Sequence, residues 1–373
     1  MKVAIVHDYL KEYGGAERVL ETLHEMYPDA DVFTSIYCPK YLGPHRERFK
    51  KWNIKTSFLQ YIPFKEKLIS PFRLISSRVF KSFDFSKYDL IIVSATGAYF
   101  PNSVKKGSAK LICYCHTPPR YLYGYKTARD WESKIVSKII GSVVNHFLRM
   151  VDFNSAQNVD LFIANSEEVK SRIEKFYRRK AIVIYPPVNI PARFKIHDSR
   201  FRNYYLAGGR LARAKRVDLA VEACTKLNLP LKVFGKSFAG YGEELAQITN
   251  LKSQISKVEF LGEVTEEEKL KLMAGAKAYI FPAESEDFGI TPVEAMATGT
   301  PVIAYKSGGV METVIDGKTG VFFDETTLES LISAIKRFEK TNIRPEDCVK
   351  QAKKFSKEKF VKDITEIVER VKG

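Results

Sequence analysis

Residues 281–299 read Phe281-Pro-Ala-Glu-Ser-Glu-Asp-Phe-Gly-Ile-Thr-Pro-Val-Glu-Ala-Met-Ala-Thr-Gly299. This pattern predicts the end of a buried strand, a short loop and a helix, as in an α/β fold. Two carboxylates, Glu286 and Glu294, lie eight positions apart around the loop. Because the free N–H groups and the dipole at the start of a helix attract anions, the stretch predicts a site for an anionic ligand.

The second acid of this stretch has two interpretations. Thr291 suits the N-cap, Pro292 the first helical position and Glu294 the third, which together make a capping box. Glu294 could therefore cap the helix as readily as bind a ligand. Capping does not explain Glu286 or Gly289, whose missing side chain lets the backbone approach a ligand. Carboxylates beside a phosphate site suit the hydroxyl groups of a ribose or a sugar, and a nucleotide-sugar has both.

Short apolar runs alternate with helical patterns along the chain, which is typical of parallel strands covered on both faces. The proline-rich segment Tyr185–Pro191 divides these runs into two sets. We predict two doubly wound α/β domains facing a central cleft, with residues 1–190 in the first and 191–355 in the second. A helix at about 356–373 is expected to pack back on the first domain. The predicted strands are Val3–Val6, Leu90–Val93, Leu111–Tyr114, Leu161–Ala164, Ile182–Tyr185, Leu231–Phe234, Val258–Leu261, Ala278–Phe281, Pro301–Ala304 and Gly320–Phe323.

The composition is that of a globular protein of 373 residues, with 45% hydrophobic and 28% charged residues. No apolar run is long enough for a transmembrane helix, and the N-terminus resembles a strand more than a signal peptide. We therefore expect a cytoplasmic protein. The five cysteines have no recurring spacing, and Asp29-Ala-Asp31 reads as a turn before a strand, so we expect no metal and no cofactor.

The net charge of +16 is unevenly distributed, since residues 51–150 hold 17 Lys/Arg and 5 Asp/Glu. Such an excess predicts an anionic partner, which could be a membrane surface, a nucleic acid or a phosphorylated substrate. An apolar stripe along residues 134–149 fits an amphipathic helix that faces either a membrane or the protein core.

Three further motifs are candidates for ligand contact, and two of them follow predicted strands. Arg210 and Lys215, in the loop that starts at Gly208, supply two positive charges suited to a diphosphate, although a solvated basic loop would look the same. Gly14 and Gly15 lie between the first strand and the first helix, but they match neither the NAD nor the ATP fingerprint. His116 follows the strand Leu111–Tyr114, where a catalytic and a structural role are equally open.

Together these motifs resemble glycosyltransferase family 4, the retaining nucleotide-sugar transferases of the GT-B fold. Glu286 to Glu294 looks like the E-x7-E motif of that family, although Asp287 stands where the family often has glycine. Other segments are similar to bacterial mannosyltransferases of O-antigen and polysaccharide assembly, which often use GDP-mannose. These segments are His7-Asp-Tyr-Leu10, Tyr114-Cys-His-Thr-Pro-Pro-Arg120, Tyr185-Pro-Pro-Val188 and Phe281-Pro-Ala-Glu284.

The resemblance implies a role for each matching residue. Glu286 would contact the transferred sugar, Arg210 and Lys215 would stabilise the leaving diphosphate, and His116 would hydrogen-bond near the sugar. Glu294 would hold the donor ribose. The other donor-binding positions implied are Gly14, Gly15, Asp287, Phe288, Gly289, Ile290 and Thr291.

The implied function is retaining transfer of a sugar, expected to be mannose from GDP-mannose, onto a glycan or lipid-diphosphate-linked acceptor. A UDP-sugar donor, a sugar phosphorylase and a sugar-phosphate synthase of the same fold remain alternatives. The basic residues 51–150 would place the enzyme on the inner face of the cell membrane as a peripheral protein. We expect no nucleic-acid partner.

Overall fold

The computed structural model of the chain describes residues 1–125, 135–191, 202–238, 240–243, 245 and 257–372, and the side chains of the helix that starts at Ile135 are described from residue 141. The described residues form two compact units. The N-terminal domain comprises residues 1–125, 135–187 and 358–372, and the C-terminal domain comprises the described residues from 188 to 357.

The N-terminal domain is built on a parallel sheet of seven strands, in the order β3-β2-β1-β4-β5-β6-β7. Its strands are β1 Val3–His7, β2 Asp31–Thr34, β3 Ile54–Thr56, β4 Leu90–Ala95, β5 Lys110–Cys115, β6 Leu161–Ala164 and β7 Ala181–Val183. Its helices are α1 Gly15–Met26, α2 Ile69–Phe72, α3 Ser76–Lys81, α4 Ile135–Gln157 and α5 Glu167–Tyr177, and α12 Lys357–Lys372 contributes from the end of the chain.

Both faces of this sheet are covered, which explains why its central strands are apolar throughout rather than alternating. Every residue of β1 and β4 is buried. The apolar stripe of α12, formed by Phe360, Ile364 and Val368, packs in one cluster with residues of β1 and α1. Phe360 also makes an edge-to-face contact with Tyr114 of β5, at 5.7 Å between ring centroids.

The C-terminal domain contains a parallel sheet of six strands, in the order β10-β9-β8-β11-β12-β13. Its strands are β8 Tyr204–Gly208, β9 Leu231–Phe234, β10 Val258–Gly262, β11 Ala276–Phe281, β12 Val302–Tyr305 and β13 Gly320–Phe323. Its described helices are α6 Val217–Lys226, α7 Glu266–Gly275, α8 Ile290–Ala297, α9 Val310–Thr313, α10 Leu328–Glu339 and α11 Pro345–Ala352.

The predicted fold class of two Rossmann-like parallel sheets is confirmed. All ten predicted strands are present, with ends that differ by up to two residues, and Tyr185 lies beyond the end of β7. Three further strands, β2, β3 and β8, were not among those predicted. β3 has only three residues and all of them are half-buried, so it carries no continuous apolar run to recognise.

The apolar stripe predicted along residues 134–149 falls within α4, apart from position 134, which lies outside the described residues. Its side chains from 141 onward divide between two environments. Leu148 is buried and packs with Phe100 and Leu122, whereas Val143 and Phe147 are more than half exposed. The stripe therefore faces both the core and the solvent. No helix in the described part of the chain combines the length and apolarity needed to cross a membrane.

Candidate active site

Each sheet has one position at which the strand order reverses direction, which is called the switch point. Ligands of doubly wound folds bind there, at the carboxyl ends of the strands. In the C-terminal domain this switch point lies between β8 and β11. The loops that follow these two strands are joined by the hydrogen bond from the Glu284 N–H to the Ala214 carbonyl, at 3.1 Å. The Tyr279 hydroxyl also donates to the Gly208 carbonyl at 2.7 Å. We call residues 209–216, between β8 and α6, the basic loop, and residues 282–289, between β11 and α8, the acid loop. These two loops therefore lie side by side.

Two ion pairs connect these loops. Lys215 Nζ donates to Glu286 Oε2, and Arg216 Nη1 lies 3.1 Å from Glu284 Oε1. The side chains of Lys215 and Glu286 are 28% and 20% exposed, so both remain accessible to a ligand. The structure thus brings together the two residues that were assigned to the diphosphate and to the transferred sugar.

Arg210, the other predicted diphosphate contact, is exposed on the same basic loop. Its guanidinium carbon lies 5.7 Å from the centroid of the Phe238 ring, in a cation–π contact. Gly209 of this loop lies beside α8, because a Cβ at Gly209 would be 3.9 Å from Thr291 Cγ2. The basic loop therefore runs past the first turn of α8.

The start of α8 corrects the predicted capping box. The helix begins at Ile290, and its N-cap is Gly289, whose φ of +86° is in the left-handed region that favours glycine. No side chain caps this helix. Thr291 lies inside the first turn and hydrogen-bonds with the side chain of Tyr279. The backbone N–H groups of this turn are thus not taken by a side-chain cap, as an anion site requires.

Glu294 is not a capping residue, since it is only 4% exposed and its Oε1 lies 2.8 Å from the Nζ of Lys269. Lys269, in α7, is itself buried and forms a second ion pair with Glu266 at 2.8 Å. This lysine was not recognised from the sequence, since a lysine in a helix rich in Lys and Glu ordinarily points to solvent. Its burial becomes visible only once α7 packs against α8.

The acid loop is held by a pair of glycines after β12. Gly309 N–H donates to the Glu286 carbonyl at 2.8 Å, and Gly308 forms an isolated bridge with Glu286. A Cβ at Gly308 would lie 2.2 Å from the Glu286 carbonyl oxygen, and one at Gly309 would lie 2.4 Å from that of Asp287. Any other residue would therefore displace the loop. The only available signal was the Gly-Gly pair at a strand end, which resembles Gly14-Gly15.

In the N-terminal domain the switch point lies between β1 and β4. Gly14 is the N-cap of α1, and its N–H donates to Glu17 Oε2 at 2.8 Å. His116 follows β5, as predicted, and its Nε2 lies 2.9 Å from Ser94 Oγ. Ser94 Oγ also lies 3.1 Å from His7 Nδ1. The predicted glycine loop and the predicted histidine thus belong to one edge of this sheet.

Two buried carboxyl groups border this edge. Burial raises the pKa of the Asp8 carboxyl above its usual value, although the charge of His7 and hydrogen bonds from Thr96 act in the opposite direction. Burial alone would also raise the pKa of Glu17. However, a hydrogen bond with His7, the charge of His7 and hydrogen bonds from backbone N–H groups together outweigh burial, so the pKa of Glu17 lies below its usual value. Glu17 is thus a carboxylate at neutral pH. Neither role was recognised from the sequence.

The described residues contain no group of three or more His, Cys, Asp or Glu side chains arranged to hold a metal ion. Asp31, the second acid of the turn Asp29-Ala-Asp31, accepts hydrogen bonds from Lys55 at 2.8 Å and from Tyr88. These contacts tie the start of β2 to its neighbours, which is a structural role.

Comparison with known protein families divides the chain at residue 191, close to residue 188, where the second unit of the fold begins. The family model for Glycosyltransferase Family 4 matches residues 13–191, and that for Glycosyl transferases group 1 matches residues 191–355. This chain belongs to glycosyltransferase family 4. Its fold is of the GT-B type.

Curated relatives are similar at low identity. An uncharacterized glycosyltransferase of Methanocaldococcus jannaschii is 30% identical over 57% of this chain and 60% of its own length. An alpha-1,3/1,6-mannosyltransferase of Dictyostelium discoideum is 27% identical over 65% of each chain. That of Schizosaccharomyces pombe is 25% identical over 86% of this chain and 70% of its own. The chain thus spans less than two thirds of the length of the first two relatives.

Solved structures share the whole fold. The Anabaena protein HepE, in complex with UDP and glucose, has a TM-score of 0.72 at 21% identity and covers 99% of both chains. A sucrose-phosphate synthase of Thermosynechococcus elongatus has a TM-score of 0.76 at 19% identity, over 100% of this chain and 99% of its own. At these identities the likeness concerns the fold alone.

Proposed function

We propose that the protein is a retaining mannosyltransferase that transfers mannose from GDP-mannose to a glycan or lipid-diphosphate-linked acceptor in cell-surface polysaccharide assembly. The observation that carries this proposal is the pairing of Lys215 with Glu286 beside the uncapped start of α8, at the switch point of the C-terminal sheet. A cation, an acid and helix N–H groups at one place match a ligand with both phosphates and sugar hydroxyls.

The choice of mannose rests on the relatives, two of which are named alpha-1,3/1,6-mannosyltransferases at 25–27% identity. Within the site, the donor diphosphate binds the first turn of α8 together with Lys215 and Arg210. Glu286 then accepts hydrogen bonds from the mannose hydroxyls. Glu294, fixed by Lys269, binds the ribose of the nucleotide.

In the reaction, the bond between the anomeric carbon and the diphosphate oxygen breaks, and a bond from the acceptor oxygen to that carbon forms on the same face of the sugar. The proton of the acceptor hydroxyl passes to an oxygen of the departing phosphate. Lys215, Arg210 and the N–H groups of α8 stabilise the charge that develops on the diphosphate. His116 donates or accepts a hydrogen bond at the sugar.

A donor screen tests this proposal. The protein is heated with GDP-mannose, UDP-glucose, UDP-galactose or an ADP-sugar, and the melting temperature reports binding to the folded state. GDP-mannose is expected to give the largest rise. Transfer is then followed by mass spectrometry on a mannose acceptor, and the anomeric configuration of the product is read by NMR. A larger rise with a UDP-sugar would overturn the donor, and an inverted product would overturn the mechanism.

We also propose that the enzyme works as a peripheral protein on the inner, cytoplasmic face of the cell membrane, where a lipid-linked acceptor lies. Residues 50–81 contain eight Lys/Arg and one acidic residue, Glu66. The two most exposed aromatic side chains among the described residues lie in the same segment, Tyr61 at 86% and Phe64 at 69%, and Phe58 in this segment is 53% exposed. Exposed aromatic groups among lysines fit the interface of an anionic bilayer.

Tyr121 links α4 to this segment. The Arg73 guanidinium stacks over the Tyr121 ring at 4.2 Å, and Asn145 of α4 donates to the Tyr121 carbonyl at 3.3 Å. The exposed Val143 and Phe147 lie on either side of Asn145 in the sequence. We propose that these exposed side chains of α4 add to the membrane-facing surface.

Sedimentation with lipid vesicles tests this surface. Wild type is expected to bind vesicles that contain phosphatidylglycerol and not those of phosphatidylcholine alone. Tyr61→Ser with Phe64→Ser should weaken binding by at least about 10-fold, since each aromatic group buries apolar area in the interface. The matched control, Phe260→Ser with Met311→Ser, removes exposed apolar residues of the C-terminal domain and should bind as wild type. Equal loss in both variants, or no binding by wild type, would contradict the proposal.

A further inference from the structure

Two ion pairs join the neighbouring strands β9 and β10 of the C-terminal domain, one near each end. Lys232 and Glu259 lie opposite each other in the strand register near the amino ends, with Nζ 3.4 Å from Oε2, and we call them the strand pair. Lys236 and Glu263 lie in the loops that follow these two strands, with Nζ 3.5 Å from Oε2, and we call them the loop pair. The two pairs have the same charges and nearly the same separation, so they differ chiefly in position.

The loop pair is the more accessible of the two. The side chains of Lys236 and Glu263 are 71% and 66% exposed, whereas that of Lys232 is 33% exposed. An ion pair so open to water adds little to the stability of a fold, because solvent screens the attraction and two long side chains lose freedom. The ammonium and the carboxylate of the loop pair can therefore exchange their mutual contact for contacts with a ligand at little cost.

Backbone contacts place the loop pair beside the basic loop. The carboxyl ends of β8, β9 and β10 are aligned in the strand register. Beyond these ends, the Leu211 N–H donates to the Lys236 carbonyl at 3.0 Å. The Gly235 N–H donates to the Gly262 carbonyl at 2.7 Å, and a Cβ at Gly235 would lie only 1.8 Å from the Gly209 carbonyl oxygen. The loop pair and the basic loop thus share one edge of the sheet.

The other contacts of the site set the direction of a bound nucleotide. The acid loop with Glu286 lies on the β11 side of the basic loop, and there the transferred sugar is proposed to bind. The nucleoside then extends to the opposite side, over β9 and β10, which lie one and two strand spacings from β8, or about 5 and 10 Å. Glu294, the proposed ribose contact, is tied by Lys269 to α7, and α7 begins at Glu266, just after Glu263. A base attached to that ribose meets the loop pair.

The two charges of the loop pair match the pairing edge of guanine. That edge presents an acceptor, O6, beside two donors, the N1–H and the amino group on C2. A lysine ammonium only donates and a carboxylate only accepts, so Lys236 suits O6 and Glu263 suits both donors. Uracil and hypoxanthine offer the carboxylate one donor instead of two. Adenine has an acceptor at N1, which a carboxylate repels. Among these bases, guanine therefore makes the most contacts with the loop pair.

We propose that the loop pair is a recognition site for guanine, in which Glu263 binds the N1–H and the amino group on C2 and Lys236 binds O6. The inference rests on the proposed function and gives a reason, within this chain, for a guanine nucleotide as the donor. A site built to bind the amino group rejects a base that lacks it, because the acceptor is then left without its partner. The strand pair lies away from the carboxyl ends, where ligands of this fold bind, and takes no part.

Isothermal titration calorimetry on the full chain tests the site without any acceptor. The ligands are GDP, UDP and inosine diphosphate (IDP), whose base hypoxanthine lacks only the amino group on C2. Wild type is expected to bind GDP at least about 10-fold more tightly than IDP, since hydrogen bonds to charged groups are the strong ones. Glu263→Ala should weaken GDP binding at least about 10-fold and bring the affinities for GDP and IDP together. Lys236→Ala should weaken GDP and IDP by similar factors, because both bases carry O6.

Glu259→Ala is the matched control, because it also removes one exposed carboxylate that contacts a lysine of β9. Loss of a negative charge favours binding of an anionic diphosphate by long-range attraction alone, so this variant should bind GDP at least as tightly as wild type. Weaker binding by Glu263→Ala therefore requires a direct contact with the base. Equal weakening in the two variants, or a GDP-to-IDP preference that Glu263→Ala leaves unchanged, would overturn the proposal.

Kinetics with GDP-mannose distinguish recognition of the base from the chemical step. Glu263→Ala should raise the KM for the donor about 10-fold and leave kcat nearly unchanged, because the base makes the same contacts in the ground state and in the transition state. A fall in kcat with an unchanged KM would show that Glu263 acts on the reaction and would overturn its role in binding guanine.

These outcomes are distinguishable from failure of the proposed function. If GDP and IDP bind as expected but wild type transfers mannose to no acceptor, the proposed function is wrong and the guanine site stands. If wild type transfers mannose from GDP-mannose while Glu263→Ala keeps the full preference for GDP over IDP, the guanine site is wrong and the function stands. If wild type binds UDP more tightly than GDP, the proposed donor is wrong and the guanine site falls with it.

Discussion

The two domains treat polar groups at their switch points in opposite ways. At the C-terminal switch point charges of both signs meet at a partly exposed site, as in the pairs Lys215–Glu286 and Arg216–Glu284. At the N-terminal switch point His7 and Ser94 are fully buried and contact each other through hydrogen bonds. The same sheet geometry therefore supports a charged edge and a largely hydrogen-bonded edge. Which one forms depends on the loops and on the helix packed above them.

The buried pair Lys269–Glu294 gives the largest expected effect, because it is the charged contact of the C-terminal site that is most withdrawn from water. Lys269→Met should lower the free energy of unfolding by about 3–5 kcal/mol, since it leaves the Glu294 carboxylate buried without the charge of Lys269. Urea denaturation measures the loss. Lys271→Met, on the same helix, removes an exposed partner of Glu267 and should have no measurable effect. Equal losses in the two variants would show that burial of the pair is unimportant.

Glu286→Gln tests the accessible pair of the charged edge. The amide keeps the size of the side chain but not the charge that contacts Lys215, so we expect kcat to fall by about 100- to 1,000-fold with the fold intact. Initial rates of sugar transfer measure this. Glu284→Gln is the matched control, because Arg216 keeps a second partner, Asp218, at 3.1 Å. A smaller loss of kcat in Glu286→Gln than in Glu284→Gln would show that Glu286 does not take part in the reaction.

Gly308→Ala tests whether the acid loop depends on backbone contact. The new Cβ would lie 2.2 Å from the Glu286 carbonyl oxygen, so overpacking should cost about 1–3 kcal/mol of unfolding free energy beyond the strain of the left-handed backbone. Gly317→Ala isolates that strain, because Gly317 has a φ of +71° against +69° for Gly308 and nothing lies within 4 Å of its Cβ position. Thermal unfolding compares them. Similar melting temperatures for both variants would contradict the close contact.

The smallest expected effect concerns Asp152, a buried carboxyl group of the N-terminal domain that stays uncharged in the folded state. Burial raises the pKa of Asp152 to about 7, although Tyr123 and Tyr177 hydrogen-bond to it, and the charge of Asp8 adds to the rise. The folded state thus holds a proton that the unfolded chain releases near pH 4. Stability should therefore fall as the pH rises from about 4 to about 7, by at least about 1 kcal/mol.

Asp152→Asn removes this titration and keeps the size of the side chain. Its unfolding free energy, measured in urea between pH 5 and pH 8, should change less with pH than that of wild type. Parallel curves for the two proteins would show that Asp152 does not hold a proton in the folded state. That result would also weaken the contrast between an uncharged and a charged domain interior.

The sequence predicted well those features that depend on local pattern. Two parallel sheets follow from ten apolar runs. The ion pair between Lys215 and Glu286 was not predicted, because it requires the strand order that brings both loops to one switch point. The capping box failed because Gly289, in its left-handed conformation, begins the helix two residues earlier than Thr291 would. Propensity could not distinguish these two starts, since both Thr-Pro and Gly are ordinary before a helix.

Contacts between distant residues were missed because no single segment carries them. Lys269 resembles a surface lysine until α7 packs on α8, and Ser94 resembles any small residue in a buried strand. His7 was seen only as part of a family resemblance. Its contact with Glu17 requires the register of β1 and the position of α1 together. The partners of a site are thus harder to predict than the site itself.

The glycine pair after β12 has a consequence for how this protein could be redesigned. Gly308 and Gly309 approach the backbone of Glu286 and Asp287, and the short distances of their would-be Cβ atoms are to backbone atoms of the acid loop. Contacts between backbone atoms therefore help to set the path of this loop. We propose that substitutions at Asp287 would vary a contact with the sugar while these backbone contacts keep the carboxylate at 286 in place, which would make donor choice adjustable at one position.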